Sequence, residues 1–215
     1  MRRRGFTLIE VLLSLALVGI VLVGLNVFVF SMGELWGKNT DVRLFDQHVR
    51  AVTRYLQREM LRASLPPAAS VNATPVGVQP VTPSGGSQSN LVTYMVLSGG
   101  RILNWPDNTP LPEVYCSLEV KRDEGLFMLW HSDLENHFND DPPRETLVSP
   151  FVTMLGYDYY DTDFNKWTTE SSLRTDSSGN PLPPQRLRVT FYYDRLTRVA
   201  LIAIPATQQG LPNPW

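Results

Sequence analysis

The chain is poor in the residues that most often carry chemistry: one cysteine, three histidines and three lysines. Each shortage excludes something. Cys116 has no partner for an internal disulfide, so stability has to come from packing. It sits in the strand-like "VYCSLEV" with no histidine or basic cluster to activate it, and reads as a small apolar core residue. Lys38, Lys121 and Lys166 are scattered, and the arginines mostly alternate with apolar or acidic neighbours, so no nucleic-acid surface is expected. His48, His131 and His137 form no H-E-x-x-H, and neither G-x-S-x-G nor a phosphate-binding glycine loop occurs. Nothing here suggests an enzyme.

Charge is missing too, from one long stretch. Between Val11 and Gly33 there are 23 residues without any, and Ser14, Asn26 and Ser31 are the only polar side chains. At about 1.5 Å per residue a helix of this length spans the roughly 30 Å of bilayer hydrocarbon. Arg2, Arg3 and Arg4 precede it and place the N-terminus on the cytoplasmic side. Without them the net charge goes from −2 to −5. Glu10 is the one charged residue between Arg4 and Glu34. A charge at the centre of a span costs about 2.5–3.5 kcal/mol on insertion scales, and less near its edge. Two ordinary signals compete for this segment. A secretory signal has an apolar region of only about 7–15 residues before a small-x-small site, for which Ser31-Met32-Gly33 would serve. A twin-arginine signal fits "RRGFTL", although such segments are only mildly apolar. Neither accounts for Glu10.

The stretch "GFTLIEVLLSLALVGI" resembles the class III signal of type IV pilins and type II secretion pseudopilins. The resemblance implies a leader, residues 1–5, ending in Gly5. A prepilin peptidase would cut between Gly5 and Phe6, and Phe6 would then be N-methylated. The family's glutamate at the fifth mature position falls on Glu10. Cleavage creates a positive α-amino group at Phe6. Glu10 can then pair with that amine on a neighbouring subunit, so that two charges in low dielectric offset each other on assembly.

Beyond the span (6–33), an amphipathic helix is expected over 34–65. There is no proline from Glu34 to Ser64, and Val42, Phe45, Val49, Val52, Leu56 and Ala63 recur at spacings that keep them on one face, with Glu59 breaking the stripe. Arg43, Arg50, Arg54, Arg58 and Arg62 lie opposite, as a solvated face that pairs with Asp41, Asp46 and Glu59. Trp36 marks the membrane interface. Pro66 and Pro67 end the helix. Residues 66–90, uncharged and rich in proline and glycine, read as an irregular linker. Residues 91–215 then form a β-rich head, with strands at 91–97, 113–120, 126–131, 152–160, 186–193 and 198–204. The fold class is α+β: a long N-terminal helix, transmembrane then amphipathic, whose second part packs on an antiparallel sheet.

Within the pilin family, "FVTMLGYDYYDTDFNKW", "LPPQRLRVTFYY" and "RVALIAIP" resemble the J-type minor pseudopilin. The likeness runs through Tyr157–Asp161, Trp167, Leu182-Pro183 and Leu187–Tyr193, and departs in the polar run 168–181. It implies a structural subunit near the tip of a secretion pseudopilus. Its partners would be prepilin peptidase, other pseudopilins and the inner-membrane assembly platform. A minor pilin of a type IV pilus is the near alternative. A secreted enzyme or binding protein with an ordinary signal is the alternative of another class. No cofactor is expected. Asp161, Asp163 and Asn165 have the 1-3-5 spacing of a calcium loop, but Lys166 stands where its glycine belongs and Ser172 where its glutamate belongs. The bland reading is a solvated acidic turn.

Overall fold

A computed structural model describes residues 7–65, 74–98, 102–105, 109–136, 138 and 140–204, the side chains of 34–39 excepted. One helix, α1 (Leu8–Arg62), takes up the whole N-terminal part. Chain contacts divide the molecule into two compact units, residues 1–48 and 49–215. The first consists mainly of the apolar part of α1. From Leu8 to Gly33 it is long and apolar enough to cross a membrane, and its side chains are exposed throughout. Two of the polar side chains in this stretch are satisfied by the helix itself. The Ser14 hydroxyl donates to the Val11 carbonyl at 2.9 Å, and the Asn26 amide donates to that of Leu22 at 3.0 Å. This suits a helix surrounded by lipid, where no water is at hand to do it.

The second unit holds the last turns of α1 and, among the described residues, nine strands. β1 (Val76–Val81), β2 (Ser89–Ser98), β3 (Pro112–Lys121), β4 (Gly125–Ser132) and β5 (Arg144–Ser149) form an antiparallel meander in that spatial order. β6 (Val152–Asp161), β7 (Lys166–Glu170), β8 (Arg186–Tyr193) and β9 (Leu196–Ala203) form a second antiparallel sheet, ordered β7-β6-β8-β9. All six expected strands are present. The single sheet of the sequence reading is corrected to two, because the chain leaves the first sheet at Ser149 and β6 pairs only with β7 and β8.

The linker expected over 66–90 is also corrected. Within it, β1 pairs with β2 from Val76↔Tyr94 to Val81↔Ser89, and Pro80 is tolerated because β1 is an edge strand. Residues 66–73 lie outside the described residues.

Burial explains why α1 continues past the span. Val52, Leu56 and Met60 are buried, and Val49 and Ala63 half-buried, as the apolar stripe requires. Full burial of a side chain such as Leu56 contributes about 1.5–3 kcal/mol. These residues face the side of the first sheet that carries Tyr94, Cys116 and Met128. The Tyr55 and Tyr94 hydroxyls both point at Met128 Sδ, at 3.7 and 3.9 Å. After Arg62 the chain joins that sheet, where the Ser64 N–H donates to the Met95 carbonyl at 2.8 Å. The second sheet buries Leu187, Val189, Phe191 and Ile202 on one face.

Glu59, which breaks the apolar stripe, is buried with it at 4% exposed rather than solvated, and keeps an ion pair with one of the arginines, Arg62, at 3.8 Å.

Candidate functional site

The sequence points to the start of α1. Thr7 is the residue before the first helical turn, and Glu10 is three residues on. Glu10 Oε2 accepts from the Thr7 backbone N–H at 2.8 Å and from the Thr7 hydroxyl at 2.9 Å. This is a capping box, T-x-x-E, in which the glutamate reaches back to a backbone donor that the helix itself leaves open. So Glu10 has a use inside its own chain, one that the Thr7-x-x-Glu10 spacing permits. Its carboxylate also stands in the first turn, where negative charge is favoured by the helix dipole. The second oxygen, Oε1, makes none of these bonds. Gly5 and Phe6, where cleavage and methylation are expected, lie outside the described residues, as do Arg2, Arg3 and Arg4. The side chain of Trp36, His137 and Trp215 lie outside them too.

The suspected calcium loop is the turn between β6 and β7. Asp163 N–H and Phe164 N–H both donate to Asp161 Oδ1, at 3.0 and 3.1 Å. Asn165 takes a left-handed φ of 51° and accepts from the Tyr160 hydroxyl through Oδ1. Asp161 and Asn165 are thus spent on closing the hairpin. Among the described residues no three or more histidine, cysteine, aspartate or glutamate side chains gather as a metal site.

Cys116 is 1% exposed in the core. Burial pushes its thiol up, as does the nearby Glu59 carboxylate, against an opposing hydrogen bond with Tyr94. A thiol so held is inert. Burial likewise raises the Glu59 carboxyl, with Arg62 acting the other way. Trp105 is buried edge-on against Trp130, at 4.8 Å between centroids, and Trp167 lies under the Arg186 guanidinium at 3.6 Å. Core packing accounts for Trp105, whereas Trp167 is half-buried on the edge strand β7.

One feature was not foreseen from the sequence. The face of the first sheet turned away from α1 carries an open trough of about 700 Å³. Its floor is Thr93, Ser117 and Leu129, with Tyr115 and His131 beside them. The Thr93 and Ser117 hydroxyls bond each other at 2.7 Å. His131 stacks on Phe138 at 4.0 Å, and burial lowers its pKa. The Ser117 hydroxyl is thus paired with Thr93, and the His131 ring with Phe138. No local spacing marks these residues. They come together through cross-strand register, Thr93↔Ser117↔Leu129 and Tyr115↔His131.

Comparison with known families matches residues 1–26 to the prokaryotic N-terminal methylation motif. The N-terminal segment is a class III, prepilin-type signal, and it runs directly into an apolar helix suited to anchoring the chain in a membrane. A motif of this kind implies processing by prepilin peptidase and association with the membrane. No curated protein and no solved structure matches the chain.

Proposed function

We propose that the chain is a minor pseudopilin: a structural, non-enzymatic subunit at or near the tip of a type II secretion pseudopilus, supporting protein export across the outer membrane. The carrying observation is the methylation motif over residues 1–26, set on an apolar helix whose side chains Leu8–Gly33 are all exposed. In this reading cleavage falls between Gly5 and Phe6, and Phe6 is N-methylated. The helix crosses the bacterial inner membrane once, with the N-terminus cytoplasmic and the head periplasmic. The partners are prepilin peptidase, other minor and major pseudopilins, and the inner-membrane assembly platform. No nucleic acid and no cofactor enter it.

Glu10 then has two successive duties. In the single subunit it caps α1 through Thr7. On assembly it meets the Phe6 amine of a neighbour, and once both charges have left water, removing one partner costs more than losing a cap. Support for the J-type assignment is the resemblance through Tyr157–Asp161, Trp167 and Leu187–Tyr193, residues that lie in β6, β7 and β8. A minor pilin of a type IV pilus shares the signal and the helix, and is the second reading.

Deletion of the gene tests the choice. Folded exoproteins held in the periplasm, with surface pili and motility intact, support the pseudopilin. Normal export with lost pili supports the pilus subunit. Normal export and pili, with the protein found free in the medium, would return the case to a secreted enzyme or binding protein.

A further inference from the structure

The second sheet buries one face and leaves the other open. Leu187, Val189 and Phe191 alternate inward along β8, so Arg186, Arg188 and Tyr192 belong to the outward face. Register adds Met154 of β6 and Val199 and Leu201 of β9 to that face. Met154, Tyr192, Val199 and Leu201 are 42–51% exposed, and they run out to β9, an edge strand. Apolar side chains gathered on one exposed face, beside charged ones, mark a place where another molecule docks.

Beside this apolar group the charges do not balance. Asp158 accepts from Arg188 through both oxygens, at 3.1 and 2.9 Å, and from the Thr169 hydroxyl at 2.7 Å. Arg186 has no such partner. It reaches across β6 and lays its guanidinium 3.6 Å from the centre of the Trp167 ring, at 8% exposed. Its Nε is buried with no hydrogen-bond partner, and among the described residues no carboxylate stands in pairing distance. Burial lowers its pKa; Asp158 acts against that and Arg188 adds to it. Among the described residues, then, the outward face carries two guanidiniums for one carboxylate.

A desolvated donor without an acceptor is costly, and stacking on a ring supplies none. A carboxylate brought from outside would supply it, in the paired geometry that a guanidinium favours. Tryptophan, tyrosine and arginine are also the residues in which binding energy concentrates at protein interfaces. The apolar side chains beside Arg186 call for an occupant that is itself apolar around its carboxylate. A protein segment meets that condition and a free anion does not.

We propose that the outward face of the second sheet docks a different subunit of the same assembly, whose aspartate or glutamate, set among apolar side chains, pairs with the Trp167-stacked Arg186. The inference rests on the reading of the chain as a minor subunit working beside other pilin-like chains, and it adds the face and the chemistry of that contact.

The test uses the full processed chain in the membranes of its own host, with p-benzoylphenylalanine in place of Tyr192. Irradiation is expected to cross-link a different protein that carries the N-terminal methylation motif, at a peptide containing an aspartate or glutamate. Arg186→Met is expected to lower the yield at least about tenfold, as loss of a central interface arginine does. The purified variant should melt at the parent's temperature or above it, because an apolar chain replaces an unpaired buried charge. Replacing the captured carboxylate of the partner by its amide leaves this chain untouched and is expected to lower the yield as much. The two changes together should cost little more than either alone, as for groups that act on each other. A captured peptide without a carboxylate, capture of a second copy of this chain, or losses that simply multiply overturns the contact. So does Arg186→Met that melts lower yet cross-links like the parent, since the arginine then serves the fold. If no protein is captured, and sodium acetate but not sodium chloride raises the melting point of the parent and not of Arg186→Met, the site takes a free carboxylate and the docking is wrong. Absence of the cross-link with Phe6 still N-methylated leaves the proposed function standing. Absence of that processing removes the reading beneath it.

Discussion

The two duties assigned to Glu10 separate cleanly in a pair of substitutions. Glu10→Gln keeps an oxygen that reaches back to the Thr7 N–H, since glutamine serves at this place in a capping box as glutamate does. It removes only the charge. Glu10→Ala removes both. Losing the cap costs about 1 kcal/mol of helix stability. Leaving the Phe6 amine unpaired in low dielectric costs about 3–5 kcal/mol. At about 1.4 kcal/mol per tenfold, the lower figure is roughly a hundredfold in subunit association. Glu10→Gln is therefore expected to be inserted and cleaved as the parent is, yet to enter filaments about a hundredfold less well. Glu10→Ala should fare only slightly worse. The assay is the share of each variant recovered in sheared or cross-linked filaments, with mass spectrometry of the N-terminus as the processing control. If Glu10→Gln assembles like the parent while Glu10→Ala does not, the residue is a helix cap and the ion-pair account is wrong.

Three further expectations concern the head. Asp158, 1% exposed, accepts from Arg188 Nε and Nη2 at 3.1 and 2.9 Å and from the Thr169 hydroxyl at 2.7 Å. Arg188 is 32% exposed and can rehydrate, so Asp158→Ala is expected to cost about 3 kcal/mol, below the top of the range for broken buried pairs. A double-mutant cycle with Arg188→Met that shows no coupling would refute the pair. Glu59 should reveal itself through pH. Its folded pKa is raised above 4.5, so the folded state binds more protons than the unfolded, and stability falls as pH rises through that window. Glu59→Gln should therefore gain stability over the parent at about pH 7–8 and show little or no gain at about pH 4, read by urea unfolding at both; equal differences would contradict it. Gly125 has φ 112°, and a Cβ there would lie 2.2 Å from the Ser149 carbonyl oxygen. Gly125→Ala should cost more than about 2 kcal/mol, because backbone has to move; a melting point like the parent's would be inconsistent with this turn.

How far the sequence could be read depended on where each signal resides. The start of the chain is legible because its message is local: a fixed order of residues around Gly5 and a charge-free span, both independent of anything distant. The strands with clear alternation, such as Leu187, Val189, Phe191 and Tyr193 in β8, were equally plain. β1, β5 and β7 were not, and all three are edge strands. "VGVQPV", "RETLVS" and "KWTTE" bury fewer side chains, so they carry less of the apolar pattern by which strands are recognised. The division into two sheets turns on a change of partner after Ser149, which no window of sequence contains. That Glu59 interrupts the stripe and pairs with Arg62 could be read from spacing, but how deeply it is buried depends on the position of the sheet. The trough stayed hidden for the same reason: Thr93, Ser117, His131 and Asp141 are neighbours only once β2, β3 and β4 are in register.

The central claim is that this N-terminus is processed as a prepilin. Mass spectrometry of the N-terminal peptide of the protein isolated from the membranes of its own host tests it most directly. The account predicts that residues 1–5 are absent and that the chain starts at Phe6 with one added methyl group on its amine. A chain that begins near Glu34, or one that keeps Met1–Gly5 where prepilin peptidase is active, would contradict it.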